Sequence, residues 1–310
     1  MLLTPGRLTL GIVLPIQTSH THDFNYPSQI AIARKADELG FDALWVRDVP
    51  LNSDSYPDPV GHSDPWVLLG ALAMATTNIQ LVTGAIVLPL RNPLHIAKAA
   101  LSVGALSGGR FVLGLGSGDR PSEFAVFGEE FDRRKEIFRS NWRRLAAALG
   151  PDGEVLDGDG RVQVEFSIRP LRAESAIPFL SVGSASQSLE WIARTAAGWA
   201  TYYRPLAAQA DRIALWKTAI GKVTTDFRSF SQSMVLELVD DPDASTEPLG
   251  LGIRTGRKGL IRYLDEIGNL GANHVMLNIV PRTRSVDEVL QEIAEDVLPD
   301  INNSKAEAMI

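Results

Sequence analysis

Residues 79–94 read IQLVTGAIVLPLRNPL. This segment begins as an apolar, β-branched run typical of a buried strand, and it ends in a proline-bounded turn that precedes a helical pattern. Gly84 lies inside the run, where a bulky residue would ordinarily continue the strand. A glycine in a strand often marks the close approach of another backbone or of a flat ligand, so this strand is a candidate binding surface.

The same order of strand, loop and helix recurs on both sides of this segment. The predicted strands are residues 8–14, 41–46, 79–88, 110–115, 177–182, 199–203, 230–239 and 274–279. Eight such alternations are the number that a (β/α)8 barrel needs. The sequence therefore predicts an α/β protein with a single (β/α)8 TIM barrel over residues 1–299 and a C-terminal tail over residues 300–310. A doubly wound sheet of eight strands is the alternative.

Two segments depart from the simple alternation. The acidic, glycine-rich text GPDGEVLDGDGRVQVEF ends at Phe166 and predicts a small surface hairpin inserted after the fourth helix, around residues 152–166. The second predicted helix, residues 65–76, has no polar face between Trp66 and Ala75. A helix that is apolar all round needs burial on every side, which on the outside of a barrel only a partner subunit would supply.

Composition excludes several classes of function. The chain has 310 residues, a net charge of −7 from 30 basic and 37 acidic residues, and no basic block, so a nucleic-acid surface is not expected. Trp66–Ala75 is too short an apolar run to span a bilayer, so no membrane association is expected. The absence of cysteine excludes disulfides and thiolate chemistry, and the first residues lack the pattern of a secretory signal peptide. Together these observations favour a cytoplasmic protein.

In a barrel of this kind the active site lies at the carboxyl ends of the strands. The candidate residues, in strand order, are Gln17, His20 and His22; Arg47 and Asp48; Thr83, Gly84, Ala85 and Arg91; Ser117, Asp119 and Arg120; Gly183, Ser184, Ala185 and Ser186; and Tyr202, Tyr203 and Arg204. Neither a Ser/His/Asp arrangement nor a pair of carboxylates stands out among them. This absence suggests that a cofactor carries out the chemistry.

The segment FLSVGSASQSLEWIARTAAGW, residues 179–199, carries the better phosphate signal. It runs from a strand through Gly183 and small polar residues directly into a helical pattern, and backbone N–H groups at such a junction form an anion site. An ordinary helix cap by Ser184 or Ser186 is an equally good interpretation of the local sequence. A dinucleotide loop requires a helix directly after its glycines, whereas Pro121 and a predicted long loop follow the glycines of FVLGLGSGDRP, residues 111–121, so a dinucleotide loop is not favoured there.

His20, His22 and Asp23 are the residues closest to a metal-binding pattern. Imidazole and carboxylate groups are usual metal ligands, but no third ligand is evident in the sequence, so no metal site is predicted. His62 is expected on a loop surface, and His274, at the start of the last strand, is expected to be structural.

Several segments, in this order, resemble one family. They include AIARKADELGFDALWVRD (residues 31–48), IQLVTGAIVLPLRNPLHIAKAA (residues 79–100) and LSGGRFVLGLGSGDRPSEFAVFGEEFDRR (residues 106–134). With residues 179–199 they resemble the luciferase-like monooxygenases, flavin- or deazaflavin-dependent enzymes related to bacterial luciferase. The text WVRDVPL, residues 45–51, resembles a particular subgroup of that family.

The resemblance implies an isoalloxazine ring in the mouth of the barrel and a homodimer packed through the second and third helices. It implies a non-prolyl cis peptide between Gly84 and Ala85. The cofactor-binding residues that it implies are Gly84, Ala85, Gly183, Ser184, Ala185 and Ser186, and Thr83 and Ser117 are added as candidates because they lie at the ends of strands three and four.

The chain also departs from the family pattern. Val49 and Pro50 follow Asp48 where related enzymes often have a histidine, and Ser117 stands where luciferase has an important arginine. Both departures argue against light emission and leave flavin binding intact.

The leading hypothesis is a flavin-dependent monooxygenase that uses reduced FMN and O2 to oxidise a small organic substrate. The chain has no separate nicotinamide domain, which favours reduced FMN supplied by a separate flavin reductase. Asp48, Arg91 and Asp119 are the candidate catalytic residues, for substrate binding or proton transfer. The alternatives are a deazaflavin-dependent hydride-transfer oxidoreductase and, from another class, a non-catalytic flavin-binding protein.

Overall fold

Eight parallel strands close into a barrel. The computed structural model describes residues 3–17, 23–56, 58, 60–169 and 176–303. The barrel strands, called one to eight below, are Thr9–Leu14, Ala43–Val46, Gln80–Thr83, Phe111–Gly116, Phe179–Val182, Gly198–Tyr202, Ser229–Leu238 and His274–Ile279. Each strand pairs in parallel with the next, and strand eight pairs with both seven and one. The predicted (β/α)8 barrel is confirmed, and the open doubly wound sheet is wrong.

Helices cover the outside of the barrel. They are Tyr26–Glu38, Pro65–Ala75, Pro93–Leu106, Pro121–Val126, Arg134–Leu149, Leu189–Thr195, Leu206–Val223, Arg257–Leu270, Val286–Glu292 and Leu298–Asn303. Several begin with a side-chain cap followed by proline in the first turn, as Asp64 and Asn92 show. Within the described residues, every helix is too short or too polar to cross a bilayer.

The third strand is interrupted. The sequence predicts one strand over residues 79–88, but the structure has Gln80–Thr83, a break, and then Ile86–Val87. The break is the Gly84–Ala85 peptide bond, which is cis, so that expectation is confirmed. Ile86–Val87 pairs with strand four beyond the break, and this pairing keeps the sheet continuous.

Other elements refine the prediction. An antiparallel bridge joins Leu156 and Val162, so the inserted surface hairpin is confirmed. The predicted loop after strand seven contains a short hairpin, Glu247–Leu249 with Gly252–Thr255, because Gly252 fits tightly against strand seven. The last helix, Leu298–Asn303, crosses residue 299, and residues 304–310 lie outside the described part of the chain, so the tail boundary stays a prediction.

A fully buried histidine, His274, lies in the barrel interior. Trp45 Nε1–H donates to His274 Nε2 over 2.8 Å, and His274 Nδ1–H donates over 2.8 Å to Thr9 Oγ1. The hydroxyl of Thr9 in turn donates to the carbonyl of Asn273 over 2.9 Å. Each donor then has one acceptor, which identifies a neutral imidazole with its proton on Nδ1. Burial lowers the pKa of His274 to about 3.

This histidine makes folding stability depend on pH in the acid range. The unfolded chain binds a proton at His274 near pH 6.5 and the folded chain near pH 3, so the free energy of unfolding falls as pH drops through that window. One such proton contributes a slope of up to about 1.4 kcal/mol per pH unit. We expect His274→Gln to flatten the slope in urea unfolding at pH 4 to 7. The exposed His95 gives the control, since His95→Gln should leave the wild-type slope unchanged.

Candidate functional site

A cavity of about 590 Å³ opens at the carboxyl ends of strands two to six. Its size is typical of a site for a small molecule or cofactor. The sequence-predicted residues that line it are Arg47, Asp48, Gly84, Ala85, Ser117, Asp119, Arg120, Gly183, Ser184, Ala185, Ser186 and Tyr202. Arg91 lies outside it, on an adjoining pocket of about 240 Å³ that shares Asp48 as a wall. The fold thus gathers residues from five separate strand ends onto one surface.

Thr83 is held away from this cavity. Its side chain is fully buried, its hydroxyl donates to the carbonyl of Gly114 over 2.8 Å, and the Gly114 amide donates back over 2.7 Å. A Cβ at Gly114 would lie 1.9 Å from the carbonyl oxygen of Thr83. Thr83 therefore joins strand three to strand four just before strand three is interrupted. Nothing in the sequence indicated this contact.

The Gly84–Ala85 peptide lies between two close neighbours. A Cβ at Gly84 would lie 2.6 Å from Cε3 of Trp45, and a Cβ at Gly116 would lie 3.2 Å from the Cβ of Ala85. Glycine at both positions lets an aromatic ring and a neighbouring strand pack directly on the peptide. The result is a flat, apolar section of the cavity wall.

The loop of residues 183–186, called the anion loop below, has an unusual backbone. Gly183, Ala185 and Ser186 have φ of 70°, 48° and 57°, in the left-handed region that non-glycine residues seldom adopt. Successive residues in such conformations turn their N–H groups toward a common concave surface. The loop therefore has the backbone shape of an anion site.

Side chains fix the carbonyl groups of this loop. Trp199 Nε1–H and the Ser181 hydroxyl donate to the Gly183 carbonyl over 3.1 and 3.0 Å. Gln187 Nε2–H donates over 3.1 Å to the Ala185 carbonyl. No acceptor among the described residues is paired with the amide N–H groups of residues 184–186. These donors lie on the cavity wall and are available to a ligand.

The following helix begins later than the sequence predicts. It spans Leu189–Thr195 and is capped by Ser188, whose hydroxyl accepts from Trp191 N–H. Neither Ser184 nor Ser186 is therefore the helix cap. The left-handed residues separate the strand from the helix, which begins only at Leu189. Any anion at this loop would therefore be bound by the amides of the loop and not by those of the helix N-terminus.

Arg134 adds a positive charge to this end of the cavity. Its guanidinium stacks 3.7 Å above the Phe131 ring and donates to the Phe131 carbonyl over 2.9 Å. The other lining arginines, Arg47 and Arg120, pair with Asp58 at 2.9 Å and with Glu123 at 3.4 Å. Arg134 has no carboxylate partner among the described residues, so its charge is available to an anion.

Asp48 and Arg91 form a two-point ion pair. Arg91 Nε and Nη2 donate to the two carboxylate oxygens of Asp48 over 2.8 and 2.7 Å, and Val87 N–H donates to the same carboxylate over 3.1 Å. Burial alone would lower the pKa of Arg91, but hydrogen bonds and charge from Asp48, with a contribution from Asp64, outweigh it and raise the pKa. Both oxygens of Asp48 are thus occupied within the protein.

Asp119 presents the contrasting case. It is exposed at the cavity, and its carboxylate has no hydrogen bond or ion pair with the residues that the structure describes. Of the three predicted catalytic residues, only Asp119 therefore presents an unpaired polar group to the cavity.

A second charged cluster lies behind the wall. Asp58 bonds to Arg47 at 2.9 Å and to His62 Nε2 at 3.2 Å. Burial would raise the pKa of Asp58, but the His62 hydrogen bond and the Arg47 charge outweigh it and lower the pKa to about 2. The His62 side chain is 2% exposed, so its expected surface position is wrong. The four-residue spacing from Asp58 to His62 was the available signal.

The part of the chain that the structure describes contains no candidate metal site. His20 and His22 lie outside the described residues, and within the described ranges no cluster of three or more His, Cys, Asp or Glu side chains occurs.

Comparisons with known proteins give the same picture. The family model described as luciferase-like monooxygenase matches residues 3–246. The chain is 37% identical over 157 residues to F420-dependent glucose-6-phosphate dehydrogenase of Amycolatopsis mediterranei. It is 31% identical over 160 residues to 4-hydroxyprotoasukamycin monooxygenase of Streptomyces nodosus subsp. asukaensis.

These two alignments cover 48% and 50% of the chain. The chain spans less than two thirds of the length of the curated relatives that it matches, 45% and 41% for these two. A solved F420-dependent secondary alcohol dehydrogenase, in complex with an F420–acetone adduct, matches with a TM-score of 0.77 at 15% identity. That match covers 95% of this chain and 99% of the other, and it supports the barrel fold.

The Asp48–Arg91 pair gives a test of how the site is held together. Asp48→Asn removes the carboxylate charge and leaves the guanidinium with a weaker partner. Because the Asp48 side chain is 1% exposed and Arg91 26% exposed, we expect a loss of about 2 to 3 kcal/mol in the free energy of unfolding by urea.

The control is the surface pair of Arg161 and Asp159, whose side chains are 75% and 72% exposed. Asp159→Asn should change stability by less than about 0.5 kcal/mol. Equal losses in the two variants would show that the Asp48 pair does not stabilise the cavity wall.

Proposed function

This chain belongs to the luciferase-like monooxygenase family, a family of oxidoreductases, and from that premise we propose that it binds a flavin-type cofactor in its barrel mouth. The finer proposal is a monooxygenase that uses reduced FMN and O2 to oxidise a small organic substrate. The observation that carries it is one cavity with a flat wall at Gly84–Ala85 and an amide-rich anion loop at residues 183–186.

The residues at the two ends of the cavity suit the two parts of FMN. The apolar wall made by Gly84, Ala85 and Gly116 would face the ring system. The free amides of the anion loop and the Arg134 guanidinium would hold the phosphate, since several N–H donors and one cation neutralise such a group well. When bound, reduced FMN supplies the electrons that activate oxygen.

Residues of this chain would supply binding, orientation and proton handling. We propose that Asp119 holds the substrate or moves its proton, because its carboxylate is exposed and unpaired among the described residues. We propose that Asp48 and Arg91 act by holding the cavity wall, because each already satisfies the other. Ser117, on the wall between them and the anion loop, is proposed to contact the cofactor.

A second candidate is a deazaflavin-dependent hydride-transfer oxidoreductase. The helix Arg134–Leu149, tied to the anion loop through Gln187 and the Lys135 carbonyl, is strongly basic. Its basic residues, with the one before it, are Arg133, Arg134, Lys135, Arg139, Arg143 and Arg144, against the single acidic Glu136. A deazaflavin cofactor such as F420 carries a longer anionic tail than FMN, and such a tail would find complementary charge on this helix.

One titration tests both candidates. We expect the protein to bind FMN at least about tenfold more tightly than riboflavin, because riboflavin lacks the phosphate that the anion loop would bind. Fluorescence quenching of each flavin, and of F420, gives the affinities. Tighter binding of F420 than of FMN would favour the hydride-transfer candidate.

A matched variant tests the loop itself. Gln187→Leu frees the Ala185 carbonyl and should reduce the affinity for FMN while leaving that for riboflavin unchanged. Binding of none of the cofactors by the wild-type protein would refute the proposal. Binding without any oxygen-dependent product, when a flavin reductase supplies reduced FMN, would favour a non-catalytic flavin-binding protein.

We also propose that two copies of the chain associate through the second and third helices. On Pro65–Ala75, Val67 and Met74 are 59% and 73% exposed, and Leu106, at the end of Pro93–Leu106, is 50% exposed. Apolar side chains exposed on adjacent helices are typical of an interface.

Charge placed on this face should separate the copies. We expect Met74→Lys to run as a monomer in light scattering while the wild type runs as a dimer. Val164, 95% exposed on the inserted hairpin, gives the control: Val164→Lys should stay dimeric. A dimer that survives Met74→Lys would place the interface elsewhere.

A further inference from the structure

We infer that His274 is a positioning residue, which sets the orientation of the Trp45 indole and through it the place of the Gly84–Ala85 peptide on the cavity wall. The inference rests on the proposed function, because it concerns the surface where the cofactor ring would lie. His274 itself does not line the cavity. Its effect on the site must therefore pass through another side chain.

The first contact joins His274 to Trp45. Both side chains are buried in the barrel interior, on strands eight and two, and their rings are nearly parallel, with an interplanar angle of 24°. The 2.8 Å hydrogen bond from Trp45 Nε1–H to His274 Nε2 fixes the rotation of the indole, because other orientations lose that acceptor. An apolar side chain in place of the imidazole would leave a buried N–H without a partner.

The second contact joins Trp45 to the cavity wall. The indole atoms closest to Gly84 are Cε3 and Cζ3, which a Cβ at Gly84 would approach to 2.6 and 3.3 Å. These atoms lie on the six-membered ring, at the opposite edge of the indole from Nε1. The indole is therefore a rigid spacer with one edge held by His274 and the other against the peptide.

The imidazole is itself fixed on all sides. Thr9 accepts its Nδ1–H, and Thr9 is anchored by the carbonyl of Asn273. A Cβ at Gly11 would lie 2.7 Å from Nε2 of His274, so glycine at this position leaves the ring the space it needs. The chain from Asn273 to Gly84 thus has no freely rotating member.

Four variants separate positioning from simple loss of stability. His274→Leu removes the acceptor, whereas His274→Gln keeps one acceptor and one donor and should rescue the geometry. Trp45→Phe keeps a ring beneath Gly84 but removes the N–H. Trp216→Phe is the matched control, because Trp216 also donates a buried indole N–H bond, to the Ser229 carbonyl, and does not line the cavity.

We expect His274→Leu and Trp45→Phe each to weaken FMN binding about tenfold, because each removes one buried hydrogen bond and the free energy of such a bond corresponds to about that factor in affinity. His274→Gln and Trp216→Phe should stay within about twofold of the wild type. Combining His274→Leu with Trp45→Phe should weaken binding no further than either alone, since both act on the same contact. Wild-type affinity in His274→Leu, or multiplied losses in the double variant, would overturn the inference.

A cofactor-free measurement keeps this inference distinguishable from the proposed function. In ¹⁵N-labelled protein without flavin, His274→Leu and Trp45→Phe should shift the amide resonance of Ala85, and Trp216→Phe should not. If the wild type binds no flavin but the Ala85 amide shifts as expected, the proposed function fails and the positioning role stands. An unmoved Ala85 amide in both variants overturns the positioning role, whatever the flavin result.

Discussion

The contact between the Trp45 ring and the backbone at Gly84 is the constraint on which the site depends. Strand three ends at Thr83, next to the glycine that packs on this ring, and the sheet resumes only at Ile86–Val87, where pairing with strand four begins again. The glycine in the strand does accommodate a flat group, but on its inner side that group is a tryptophan of the protein itself. Gly84 and Ala85 line the cavity, and the ring packs on Gly84 where a side chain would otherwise lie, so this part of the wall depends on packing in the barrel core.

Charge is divided along the cavity in a way that suits one orientation of a ligand. The carboxylates of Asp48 and Glu123 are each paired with an arginine, and Arg47 is paired with Asp58. These pairs neutralise one another, and among the described residues they leave the Asp119 carboxylate as an unpaired negative charge near them. The anion loop and Arg134 remain as unneutralised donors at the other end. A molecule with one anionic group and one flat group would therefore enter with a defined direction.

Local patterns predicted most of the fold, because most of the strands are buried on both faces and are largely apolar in sequence. His274–Ile279 has the bounds that the sequence predicts. The start of the helix at Leu189 was misplaced because left-handed residues at Ala185 and Ser186 have no sequence marker. The roles of Thr83 and His62 depend on partners brought close only by the closed barrel or by an irregular loop, so neighbouring residues could not reveal them. The cis peptide came from resemblance to a family, since no local pattern specifies it.

Arg91 has a position whose consequence extends beyond the cavity. Its guanidinium binds Asp48 on the cavity wall and also reaches Asp64 at 3.4 Å, the residue that caps the helix Pro65–Ala75. That helix carries the exposed apolar face proposed to meet a second copy. One cation therefore joins the ligand wall to the surface where subunits would meet. By thermodynamic linkage, any preference of the dimer for one setting of Arg91 would appear as a cofactor affinity that depends on protein concentration, and cofactor would in turn strengthen or weaken dimerisation by the same factor.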